Sequence, residues 1–111
     1  MERRWIEMKA YRHGDVILVK ISEGEFKFNK QRGRKLNTNI VKEGEKAGHY
    51  HTLLGDVELF GSGNVKVCEV KKDTVIDHPE HGKGKVEKGY YKILSPVEWN
   101  YVKEEKRKVL D

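Results

Sequence analysis

The chain has 111 residues, 36% hydrophobic and 37% charged. That suits one domain with a modest core beneath a heavily charged surface. Its 23 Lys and Arg exceed 18 Asp and Glu by a formal charge of +5, a surplus compatible with RNA or another phosphate-bearing partner without requiring one. The single cysteine, Cys68, excludes an intrachain disulfide and a thiolate metal cluster, and no apolar run approaches the roughly 20 residues of a membrane-spanning helix.

Residues 1–10 are charged around Trp5, Ile6 and Met8 and predict a short arm or an added strand; they lack the apolar core of a signal peptide. With one thiol and neither leader nor span, the expected location is the cytoplasm. DVILVKI (15–21) is apolar, β-branched and too short for a helix, which predicts a buried strand. Residues 22–37 show no sustained period and predict a long, mobile basic loop. Strands are expected at 38–42, 48–54, 57–60, 65–70 and 74–77, with a loop at 78–84 and two strands within 85–94. The tail carries Trp99, Tyr101 and Val102, leaves room for a short helix from about 97 to 107, and ends in a charged, fraying segment from about 103 to 111. Short strands separated by regular turn signals predict a single all-β domain, a small antiparallel β-barrel or sandwich.

Four of the five histidines fall in two clusters, His49 with His51 and His78 with His81. On a strand, His49, His51 and Leu53 share one face, and two imidazoles at i and i+2 can converge on one ion. Pro79 ends the strand that carries His78, and the glycines after His81 let the chain turn back. Together His49, His51, His78 and His81 supply three or four nitrogen ligands, a set accepted by zinc, iron, nickel or manganese. His13, ahead of Gly14-Asp15, is open between ligand, supporting group and surface residue. Among the flanking carboxylates, Glu80 and Asp77 are the candidates to orient a ligand or move a proton. Lys27, Lys30, Arg32, Arg34 and Lys35, interleaved with Phe26 and Phe28, have the make-up of a single-stranded nucleic-acid grip.

YRHGDVILVKI, GEKAGHYHTL, HPEHGKGKVEKGYYKI and VEWNYV occur in that order over most of the chain. The arrangement resembles a small, largely uncharacterised prokaryotic family with Gly-Asp-Val-Leu-Leu, Gly-His-x-His and His-x-Glu-His-Gly motifs. The matching positions include Arg12, Gly14, Asp15, Gly48, His49, His51, His78, Glu80, His81, Gly89, Tyr91 and Trp99. The resemblance carries no activity with it. The His-x-His strand after a glycine is also similar to the first cupin motif, although Glu58 lies seven residues beyond His51, farther than that motif places its glutamate.

Three function classes follow. The first is a divalent-metal-binding β protein, extending to a metal-dependent hydrolase. The second is an RNA-binding protein or metal-independent ribonuclease that uses the histidines as acid and base. The third is a structural or interaction module in which the histidines cap turns. A homo-oligomer is compatible with all three.

Overall fold

A computed structural model describes residues 9–43, 50–63 and 65–110, without the side chains of 42, 43, 62 and 106–110. The expectations for Trp5, Ile6, Met8, Gly48 and His49 lie outside the described residues.

Among the described residues, ten strands form two antiparallel sheets, each open rather than closed into a barrel. The strands are β1 (Ala10–His13), β2 (Val16–Ile21), β3 (Arg34–Leu36), β4 (Ile40–Glu43), β5 (Tyr50–Leu53), β6 (Val57–Ser62), β7 (Val65–Val70), β8 (Thr74–His78), β9 (Gly82–Val86) and β10 (Gly89–Leu94). The larger sheet runs β1-β2-β10-β7-β6-β3 and the smaller β4-β5-β8-β9.

Alternation along the strands explains how the two sheets join. Val16 and Leu18 of β2, Leu59, Cys68, Val70, Tyr91 and Ile93 face one core together with Val41, Leu53, Ile76 and Val86 of the smaller sheet. The expected sandwich is therefore present, its core shared between the two inner faces. Burial there pushes the Cys68 thiol up to about 12, so at neutral pH it behaves as a small hydrophobe.

The outer face of the larger sheet is covered as well, which is why β2 is apolar at consecutive positions. Ile17 and Val19 pack with Leu94, Trp99 and Val102 under helix α2 (Pro96–Leu110). Ser95 and Glu98 start that helix by reciprocal capping: the Glu98 N–H donates to Ser95 Oγ at 3.2 Å and the Ser95 N–H to Glu98 Oε1 at 2.9 Å. The short helix expected at 97–107 thus extends through most of the expected charged tail.

Residues 22–37 are not a loop. They form helix α1 (Glu23–Arg32) and β3. Ser22 Oγ accepts the Glu25 N–H at 3.1 Å, acidic residues occupy the first turn and Lys30 and Arg32 the last, and each favours the helix. Phe26 is its buried residue, edge-on to Phe60 at 5.7 Å and 4.7 Å from the Tyr90 ring. Phe26→Ala is expected to cost about 3–5 kcal/mol. Urea unfolding followed by circular dichroism checks this; a loss under about 1 kcal/mol would mean that α1 is held in place by something other than this anchor.

Candidate metal centre

β5 alternates so that His51 and Leu53 point into the core while Tyr50 and Thr52 face outward. His51 is fully buried. β5 pairs with β8 through Thr52 with Asp77 and Leu53 with Ile76. One further step of that register sets His51 opposite His78, and their ring centroids are 4.3 Å apart. β8 ends at His78, and His81 sits in the turn before β9 with its ring centroid 4.6 Å from that of His78. His51, His78 and His81 each offer a candidate ligand atom, and these atoms lie within 4.8 Å of one another. Two of the three rings are buried and His81 is exposed, so the cluster meets solvent on the His81 side.

The larger sheet contributes the opposite wall. β1 and β2 are joined by the two-residue turn Gly14-Asp15. Gly14 has φ 63°, a conformation that a tight hairpin needs at this position and that glycine adopts without steric cost. The turn places its neighbours on either side of His51. His13 Nδ1 lies 3.0 Å from His51 Nδ1, and His51 Nε2 lies 2.7 Å from Asp15 Oδ1. His13 Nε2 donates to the Gly82 carbonyl at 2.9 Å, tying β1 to the start of β9 in the other sheet. Glycines give the rings room: a Cβ on Gly14 would lie 2.7 Å from His81 Nε2, and one on Gly84 3.3 Å from His13 Cδ2.

Burial lowers the pKa of His51 below its ordinary value of 6.5; the Asp15 hydrogen bond partly opposes this and His78 reinforces it. The buried ring therefore favours its neutral form, which can ligate a metal. His78 Nδ1 accepts the backbone N–H groups of Glu80 at 3.0 Å and His81 at 3.3 Å. With Nδ1 accepting, a neutral ring carries its hydrogen on Nε2.

A family model described as a domain of unknown function, DUF8820, matches residues 12–95. The chain belongs to this family. The matched segment begins one residue before His13 and ends ahead of α2, so it contains the hairpin turn and all four described histidines of the cluster. No curated protein and no solved structure matches the chain.

The structure brings His51, His78 and His81 together. Asp77 alternates with the buried Ile76 and His78, which puts it on the other face of β8, away from the imidazoles. Glu80 reaches the cluster through its backbone N–H. Asp15 sets its carboxylate against the His51 ring, whereas the sequence placed it only within a motif. The signal for it was the His-Gly-Asp order at a strand start, where a tight turn presents both flanking side chains to one neighbour.

The basic residues lie on α1 and β3 rather than in a loop. Lys27 pairs with Glu23 at 2.9 Å and Lys35 with Glu58 at 4.0 Å. Lys30 stands 5.0 Å from the Phe60 ring centroid and Arg32 5.2 Å from that of Phe28. Arg34 is exposed at the start of β3.

Proposed function

We propose that this is a divalent-metal-binding β domain whose ion sits in the imidazole cluster. The observation that carries the reading is the approach of candidate ligand atoms from His51, His78 and His81 to within 4.8 Å of one another, the first on a strand distant in sequence from the strand end and turn that carry the other two. An all-nitrogen donor set suits zinc, iron, nickel or copper better than magnesium or calcium, which favour oxygen. Exposure at His81 leaves a side open to a small exogenous ligand, the arrangement of metal sites that act on water or a substrate, and a metal-dependent hydrolase is the activity this favours.

Elemental analysis of untagged protein purified without added metal tests the reading. Near one ion per chain is expected, lost in the His51→Ala/His81→Ala double variant. No bound metal, together with no thermal shift on adding zinc, iron, nickel or manganese, would sink it.

His78 favours a second reading. A ring whose Nδ1 accepts two backbone N–H groups presents Nε2–H as a proton donor, as metal-independent acid–base chemistry on a phosphodiester such as RNA needs. Activity of that kind would survive a chelator and decline steeply with salt.

A further inference from the structure

We infer that the ion is held between Nδ1 of His13 and Nδ1 of His51, so that the His13-Gly14-Asp15 turn is half of the metal site: His13 is a ligand and Asp15 is the positioning carboxylate behind His51. This deepens the metal-binding reading and rests on it, with His13 in place of His78 among the ligands.

Hydrogen-bond polarity fixes the tautomers of both rings. A backbone carbonyl can only accept, so the 2.9 Å contact of His13 Nε2 with Gly82 O puts the hydrogen of that ring on Nε2. An ionised carboxylate also only accepts, so the 2.7 Å contact with Asp15 puts the hydrogen of His51 on its Nε2. Two neutral rings fixed in this way aim the lone pairs of their Nδ1 atoms at each other across 3.0 Å. Nitrogens facing each other with lone pairs need a cation between them. Two nitrogens bonded at about 2.0–2.1 Å to one tetrahedral ion stand about 3.3–3.4 Å apart, a few tenths of an ångström from the spacing seen.

Both outer contacts are those that ligating imidazoles characteristically make, one N–H to a carboxylate and one to a backbone carbonyl, which fix the tautomer and the ring orientation. His78 is poised differently. Its Nδ1 is occupied by two backbone donors, and a lone pair on its Nε2 would require a hydrogen on the nitrogen those donors face. His78 then carries an N–H in place of the lone pair a ligand needs, and His81, exposed and with its candidate ligand atom within 4.8 Å of that of His51, is the third nitrogen donor.

Zinc affinity by competition with a chromophoric chelator, with X-ray absorption to count imidazole ligands, tests this on the full chain. The expected result is near one zinc per parent chain, at least a 100-fold loss of affinity and one imidazole fewer in His13→Ala, and a 10- to 100-fold loss in Asp15→Asn. Asp15→Glu, which restores an acceptor, is expected to recover part of that loss. Asp15 is half exposed, so its Asn variant serves where His13→Ala fails to fold. A parent that binds zinc while His13→Ala keeps its affinity and imidazole count, or while Asp15→Asn binds as the parent does, would overturn this inference alone. A parent that binds no zinc, the cation between the rings then being a proton, would overturn the metal-binding reading with it.

Discussion

His51→Ala is expected to destabilise the metal-free chain by about 3–5 kcal/mol, the range for deleting a large buried ring. The site cannot readily absorb the loss: His51 is fully buried, lies against the rings of His13 and His78, and hydrogen-bonds Asp15. Removing it leaves a cavity and strips His13 Nδ1 of its partner. The same residue sets a pH dependence. Burial holds the pKa of His51 in the fold below 6.5, so as pH falls the unfolded chain takes up this proton first. The stability contributed by the neutral ring is fully present above 6.5 and is lost as pH falls below that value towards the lower one of the folded state. Urea midpoints in chelator from about pH 7.5 to about pH 5 should therefore fall in the parent and run flatter in His51→Ala. Parallel slopes would show that His51 does not titrate differently in the two states.

Strands that bury a face announce themselves through composition and alternation, and their positions in this chain followed. VKVCEV became β7 without change, and Thr74 to Asp77 became β8 with one residue added. α1 was illegible to the same method because a helix that buries only Phe26 has no apolar stripe to show. Its signal was the cap, Ser22 with Glu25 three residues on, and charge ordered along the helix rather than around it. α2 carried a stronger start in Ser95-Pro96 with Glu98, and Trp99 and Val102 at helical spacing.

The candidate site was half legible for a related reason. His51, His78 and His81 are spaced so that strand geometry alone can orient them, and cross-strand register then joins them. His13 and Asp15 join through the meeting of two sheets, and no local pattern encodes which turn of one sheet will abut the middle strand of the other. Asp77 shows the converse. It is a neighbour of His78 in sequence, but strand alternation turns it away.

Gly14→Ala is expected to lower metal affinity by 10-fold or more and to cost about 1–2 kcal/mol of stability, the latter from forcing an L side chain into left-handed backbone. The affinity loss has a separate origin. The added Cβ would lie 2.7 Å from His81 Cδ2 and Nε2 and 3.1 Å from His51 Cε1, so the His81 ring must move and His51 is crowded from the same side. Gly63 isolates the backbone contribution: its φ is 59°, but a Cβ there meets nothing within 4 Å. Gly63→Ala should show a similar loss of stability and an unchanged affinity for zinc. Thermal melts in chelator and zinc competition titrations on the two variants separate the effects. Equal affinities in the two variants would show that the hairpin turn does not shape the space around His81. A selective loss in Gly14→Ala would place the β1–β2 turn against the bound ion, with its missing side chain as a condition for the imidazoles to close.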